Sequence, residues 1–414
     1  MSGPHCKVGI VAGGGSLPLE VARSVTARGA GVHVVMVEGA ASEALSVYPH
    51  TRVNWAELGK ACSAFERAQI RDIVLLGTYA RPSFLTARPD LTFLRASAAV
   101  VRLLGAGGDD AVLRGLIGVF ERHGLRVCSV ADVVPELIVP AASLTSQKAT
   151  DADRRDIELS FSIIGALGRF DIGQAVAIAE GKVLAIEGAE GTDRMLQRVA
   201  GMRALASQRS GVLVKCPKPG QDLRVDLPTI GPKTVLNADA ARLNGIAVRA
   251  GQVLAAEREA LSEAARSARI FVEGVAAPVT TGDQLNDKFG VCALGQRPLA
   301  MWAKRDAMRG AEILSTLGSF DTGTCVVIRD KRVLSIGALE PAEDVIGRVT
   351  AARRFRPHGV AVVRSAGNSE AVLESAARVG LAGVVFDAPP AENVGRYANT
   401  LRLFAGVAVR GRQE

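Results

Sequence analysis

The sequence predicts an α/β protein: an N-terminal Rossmann-like parallel-sheet domain (1–130), a mixed α/β domain (131–278), and a degenerate repeat of that second domain (279–414). Three observations lead there. Strand and helix signals alternate through the first part, as they do when helices cover a parallel sheet. The pattern then shifts to a hairpin followed by mixed elements. Finally, a stretch that begins at Gly168 returns without a gap 150 positions later, at Gly318. A chain of 414 residues also exceeds one ordinary hydrophobic core, so several domains are expected.

In order along the chain, KVGIVA (7–12), VHVVMV (32–37), DIVLLG (72–77) and RVCSV (126–130) are short, apolar and mostly β-branched, the composition of buried strands. Between them, LEVARSVTARG and DAVLRGLIGVFERHG space apolar residues three or four apart, which predicts amphipathic helices. In the second part, QAVAIAEGKVLAIEG (174–188) reads as two strands turning at Glu180-Gly181. Thr192 stands where it can cap a helix with Met195, Val199 and Met202 as its apolar face. GVLVK (211–215) is a strand that runs into KCPKPGQDLRVDLPTIG (215–231), and helix and strand signals continue to about Val275.

The repeat is informative in what it loses. GVLVK returns as GVAVV (359–363), and TVLNADAARLNGIAV (234–248) as AVLESAARVGLAGVV (371–385). The charged loop between them collapses to RSAGNSE. Lys215 becomes Val363, Glu187 becomes Gly337, Gly191 becomes Pro341 and Thr192 becomes Ala342, while nothing matches Lys218, Asp222, Arg224 or Asp226. Apolar positions survive and charged loop positions vanish, so the loop is read as chemistry rather than scaffold.

Composition narrows the classes. Apolar residues are 48% and charged residues 22%, an ordinary globular balance. No apolar run reaches the roughly 18 residues of a membrane span, and the N-terminus lacks the layout of a cleaved leader, so a cytoplasmic location is expected. The six cysteines form no C-x-x-C pair and the five histidines no metal-ligand spacing, which predicts reduced thiols and no zinc site. The net charge of +8 suits nucleic acid, anionic lipid or a phosphorylated ligand, but aromatics are only 4% and no basic aromatic-interleaved helix is present. No nucleic-acid partner is expected.

Four stretches carry candidate chemistry. In VGIVAGGGSLPLEVAR a strand ends at Ala12, Gly13, Gly14, Ser16 and Leu17 follow, and Pro18 opens a helix, a layout that suits phosphate or a mere tight turn. LLGTYARP offers Gly77, Thr78 and Arg81 after another strand. GAGGDDAVLRG sets Asp109 and Asp110 before a helix, where one of them reads equally as an N-cap. The loop after Lys215 combines both kinds of group that phosphoanhydride hydrolysis needs. Asp222 and Asp226 are acceptors for a hard cation such as Mg²⁺, and Lys215, Lys218 and Arg224 can neutralise phosphate oxygens.

GIVAGGGSLP, GDDAVLR, DIGQAV, EGAEGTD and KPGQDLRVDLPTIG together resemble the LpxI-type UDP-2,3-diacylglucosamine pyrophosphatases of lipid A synthesis, over about residues 1–278. The resemblance implies hydrolysis of UDP-2,3-diacylglucosamine to 2,3-diacylglucosamine 1-phosphate (lipid X) and UMP, with a divalent metal, usually Mg²⁺, and the lipid held between two domains. It makes 131–278 the catalytic domain and Asp226 the aspartate required for activity, in Arg224-Val225-Asp226-Leu227-Pro228, where Val225 departs from the usual Phe. It further implies substrate contacts at Gln174, Glu187, Gly191, Thr192, Asp193, Gln221 and Thr229, beside the residues named above. Members pair through their second domains, so the repeat is expected to act as an intrachain partner in a monomer. A basic chain with a diacylated substrate is expected to work peripherally, at the cytoplasmic face of the inner membrane. Two alternatives stay open: a non-catalytic nucleotide-sugar or lipid-binding regulator, and an NAD(P)-dependent oxidoreductase resting on the N-terminal glycines and Glu38.

Overall fold

Lys7–Ala12 forms strand β1, and its two neighbours in space set the whole first sheet. The computed structural model describes residues 7–78, 88–94, 109–276, 289–349, 359–365 and 368–410. Helix α1 (Leu17–Ala27) carries the chain from β1 to β2 (Gly31–Val37), burying Pro18, Val21, Ala22 and Val25. After β3 (His50–Val53), helix α2 (Leu58–Arg67) returns it to β4 (Asp72–Leu76), and helix α3 (Asp109–Arg122) precedes β5 (Arg126–Val127). The strand order is β3-β2-β1-β4-β5, with every pairing parallel. The order reverses between β1 and β4, so the loops leaving their carboxyl ends diverge there, at the topological switch point of an open α/β sheet.

Two local departures from expectation have visible causes. β3 has no apolar run to announce it: three of the four residues of HTRV are polar, and as an edge strand it needs only one buried residue, Val53. β5 stops at Val127 because Ser129 starts a single helical turn. Its hydroxyl accepts from the Ala131 amide (3.1 Å), and Asp132 accepts from the Ser129 amide (3.1 Å).

The chain divides into two units, the first being Met1–Ala142 with Gly220–Pro232 and Arg249–Ala264, and the second Ser143–Pro219 with Lys233–Val248 and Ala265–Glu414. Lys215 and Lys218 therefore belong to the second unit, while from Gly220 onward the charged loop belongs to the first. There Leu227 packs with the Ile10, Val34 and Val74 cluster, and Val225 with the Phe65, Ile117 and Phe120 cluster. A short parallel pair, β9 (Thr229–Ile230) with β11 (Leu254–Ala255), closes the loop.

In the second unit, helix α4 (Asp151–Leu167) leads to the hairpin β6 (Ala175–Ala179) and β7 (Lys182–Ile186). Glu180 and Gly181 both have positive φ (55° and 75°), the requirement of the expected two-residue turn. Helix α5 (Thr192–Met202), strand β8 (Val212–Lys215), helix α6 (Pro232–Ala240) and strand β10 (Gly245–Arg249) follow. Helix α7 (Arg258–Ala268), most of whose residues belong to the first unit, leads to β12 (Phe271–Val275), which completes the second unit's order β12-β10-β8-β6-β7. The remainder gives β13 (Phe289–Ala293), α8 (Met301–Gly318), β14 (Cys325–Arg329), β15 (Arg332–Ile336), α9 (Ala342–Gly347) and β16 (Val360–Val363). Then come α10 (Ser369–Val379), β17 (Gly383–Phe386), α11 (Val394–Thr400) and β18 (Phe404–Arg410), in a sheet ordered β13-β18-β17-β16-β14-β15.

The two sheets of this unit match in detail. Val176 faces Ile186 and Val326 faces Ile336, and the register shift falls between Ala177/Ile178 and between Val327/Ile328. Asp156 accepts the turn amides of Glu180 and Gly181 (2.9 and 2.8 Å), and Asp306 those of Asp330 and Lys331 (2.8 Å each). α4 packs on β6 and β8, α8 packs on β14 and β16, and the two helices pack on each other. Their side chains share one apolar core, in which Ile163, Ile164 and Leu167 are joined by Ile313, Leu314 and Leu317.

Candidate functional site

In the first unit the candidate residues gather at the switch point. The Gly13 amide donates to Leu76 O (2.7 Å), while Gly14 and Thr78 exchange backbone hydrogen bonds (2.9 and 3.0 Å). This lacing of two loops explains one glycine: Gly77 has φ +93°, and a Cβ there would lie 2.4 Å from Gly14 O. Gly14 is also crowded, since a Cβ on it would sit 3.0 Å from Thr78 Oγ1. Ser16 and Leu17 open α1 with Pro18 in its first turn, as expected. Ser16 is exposed, and its hydroxyl caps no helix amide. Arg81 lies outside the described residues, as do the side chains of Asp109 and Asp110, although α3 does begin at Asp109.

The charged loop docks on the same unit. Asp222 O accepts from the Val225 and Asp226 amides (3.2 and 3.1 Å), making one tight turn, and the Gln221 side chain donates to Asp226 O (2.6 Å). Arg224 grips Asp222 with Nε (3.0 Å) and Nη2 (2.7 Å), and reaches Glu121 of α3 with Nη1 (3.1 Å). The guanidinium holds the Asp222 carboxyl below the usual carboxylate range against the opposing effect of partial burial. Ser129 donates to Leu223 O (3.3 Å), and Thr229 to Leu227 O (3.3 Å). Glu121 gave no signal in the sequence, because it is one charge among several on a solvated helix.

In the second unit, four residues from separate segments form a polar chain. Lys215, at the end of β8, is buried, and its Nζ donates to Thr192 Oγ1 (3.0 Å). Thr192 donates onward to Glu187 Oε1 (3.0 Å), whose Oε2 accepts the Gln174 amide (3.2 Å). A hydroxyl thus links an ammonium to a carboxylate. Thr192 does not cap α5 as expected: Gly191, at φ +81°, holds the N-cap position, and the Thr192 hydroxyl is committed to Glu187. Met195 and Val199 are buried as expected, but Met202, the last residue of α5, is 44% exposed and Leu196 is buried in the helix's apolar face instead. Asp193 accepts from Asn237 (2.9 Å) and Lys233 (2.7 Å), tying α5 to α6. Lys218 pairs with Asp171, which is held in the left-handed region at φ 57°.

The corresponding positions of the second copy are Thr324, Gly337, Ala342 and Val363. Val363 and Ala342 are buried in an apolar cluster with Val345 and Val372. A Cβ on Gly337 would lie 2.3 Å from Thr324 Oγ1 and 2.5 Å from Val345 Cγ2, so no glutamate fits there. Where the earlier stretch carries a polar chain, these positions carry apolar packing.

A cation would find few donors. Among the described residues no group of three or more His, Cys, Asp or Glu side chains converges. Asp222 and Asp226 are the two carboxylates expected to hold Mg²⁺ with substrate phosphates, and Arg224 already engages both Asp222 oxygens.

Comparison with known proteins identifies the family. The description LpxI N-terminal domain matches residues 7–137, and LpxI C-terminal domain matches residues 140–273 and 291–386. The chain is similar to the UDP-2,3-diacylglucosamine pyrophosphatase LpxI of Caulobacter vibrioides, with 39% identity over 274 residues that make up 65% of this chain and 97% of that protein.

Proposed function

The chain belongs to the LpxI family, and from that premise we propose that it hydrolyses the pyrophosphate bond of UDP-2,3-diacylglucosamine, releasing UMP and 2,3-diacylglucosamine 1-phosphate. The observation that carries this reading is a 39% identical relative of that name, matched over 97% of its length. Gly13, Gly14 and Ser16, at the head of α1, offer a phosphate-binding turn. Asp226 holds or orients the attacking water. Lys215, Lys218 and Arg224 offset charge on the phosphate oxygens, and each already sits against an acceptor that keeps it in place. Mg²⁺ or another divalent cation on Asp226 and Asp222 would supply further neutralisation of the pyrophosphate when bound.

The C-terminal copy is read as non-catalytic and as an intrachain stand-in for a second subunit, since its packing elements persist and its polar chain does not. Among the described residues no helix is long and apolar enough to cross a membrane. A net charge of +8 favours peripheral work at the anionic cytoplasmic face of the inner membrane, where a diacylated substrate lies. The test is direct: full-length protein, UDP-2,3-diacylglucosamine and Mg²⁺, with UMP as the readout. Absence of UMP overturns the proposal.

A further inference from the structure

The two copies in the second unit meet at a charged corner as well as through their shared core. Arg198, on α5, donates from Nη2 to Glu190 Oε1 (2.6 Å) and to Ile186 O (3.4 Å). In the second copy Arg348 donates from Nη1 to Glu340 Oε1 (2.7 Å) and from Nη2 to Ile336 O (3.0 Å). The two clasps correspond residue for residue, 150 positions apart. They are not separate, because Glu340 Oε1 also accepts Nη1 of Arg198. Its Oε2 accepts the Ala338 amide (3.0 Å), and the side chain is only 7% exposed. Glu340 is therefore a buried carboxylate shared by two guanidiniums, one from each copy. Removing its charge would leave two poorly solvated cations facing a neutral group, a far worse arrangement than an exposed pair losing a partner.

What Arg198 belongs to gives this corner its meaning. Six residues before it on α5 stands Thr192, the hydroxyl that joins Lys215 to Glu187. No side chain caps the start of α5, and Gly191 precedes it. The helix start is thus held at one end by the Thr192 bonds and the Asp193 ties to α6 and, little more than a turn and a half along, by the Arg198 clasp.

We propose that Glu340 of the C-terminal copy is a positioning residue for the site carried by the first copy: through Arg198 it fixes α5, and so sets Thr192 and the Lys215–Thr192–Glu187 chain. The copy that has lost its own polar chain braces the one that has kept it. The catalytic consequence rests on the function proposed above, whereas the brace itself does not.

The test uses the full chain carrying Glu340→Gln, which keeps the volume and removes the charge. Hydrogen exchange of the amides of 192–202 should accelerate about tenfold or more while β1, β2 and β4 remain unchanged. UMP release should fall about tenfold, the scale on which small misplacements of distant groups act. Arg198→Gln should cause a comparable fall, and adding Glu340→Gln to it should cause little more, because both changes cut one connection. Glu43→Gln, at the exposed Glu43–Arg52 pair of the first unit, is the control and should alter neither readout. If Glu340→Gln proves unstable, Glu340→Asp retains the charge at a shorter reach and should show the same changes in smaller degree. Unchanged exchange at 192–202 overturns the brace, whatever the activity. Accelerated exchange with unchanged turnover overturns its role in positioning the site. A wild-type chain that releases no UMP defeats the proposed function, and exchange alone then decides the brace.

Discussion

At the scale of single residues, Asp226 and Ser16 bear the sharpest expectations. Asp226→Asn keeps the side chain's shape and removes its charge. UMP release should fall about 10²-fold or more, roughly 3 kcal/mol of barrier, and a near-normal rate would refute the assignment. The N-terminal loop needs a cleaner probe than Gly14, because a side chain there would press on Thr78 and confuse packing with binding. Ser16 is exposed and caps nothing, so Ser16→Ala should leave the melting temperature alone. A rise in KM for the substrate would support phosphate contact, and an unchanged KM would favour a simple turn.

At the scale of elements, Asp156 and Asp306 show how helices fix hairpins. Each places a carboxylate on two turn amides, and Asp156 serves the hairpin whose second strand leads to Glu187. Asp156→Ala should cost about 1.5–3 kcal/mol in urea unfolding, the usual worth of hydrogen bonds to a charged group. The joint between copies has its own signature in pH. Burial alone would raise the Glu340 carboxyl, but Arg198 and then Arg348 outweigh it, with the net effect that it lies below 4.5. A carboxyl depressed by folding adds stability that is complete above its unfolded value and is lost as pH falls through the folded one. Urea midpoints should therefore drop on acidification below about pH 4.5, and the drop should be smaller in Glu340→Gln.

For the molecule as a whole, the shared core decides how the chain can be divided. α4 is buried along more of its circumference than one sheet covers, because α8 lies on it as well. Cutting after Val275 would strip that cover from residues of the Ile163, Ile164 and Leu167 cluster, each worth about 1.5–3 kcal/mol of burial. The truncated chain should dimerise or aggregate in light scattering, while the full chain should run mainly as a monomer. A full-length dimer together with a soluble, monomeric truncation would reverse this expectation.

Much of the fold was legible in the sequence because its signals are local. β-branched runs bounded by glycine announced β1, β2 and β4, and Glu180-Gly181 announced the β6–β7 turn. Self-similarity between 168–199 and 318–349 suggested a repeat, since a copied apolar pattern keeps its spacing. The edge strand β3 was illegible because HTRV takes its conformation from pairing with β2 rather than from its own side chains. Of the candidate site, the sequence supplied the residue types. It could not supply the commitment of Thr192 to Glu187, the hold of Glu121 on Arg224, or Glu340 between two arginines. Those contacts join residues 5, 103, and 142 and 8 positions apart, and whether distant charges meet is settled by how sheets and helices stack. Sequence determined which groups exist and which elements carry them. Tertiary structure alone decided which charge answers which, because side-chain electrostatics acts over a few ångströms of space and takes no account of distance along the chain.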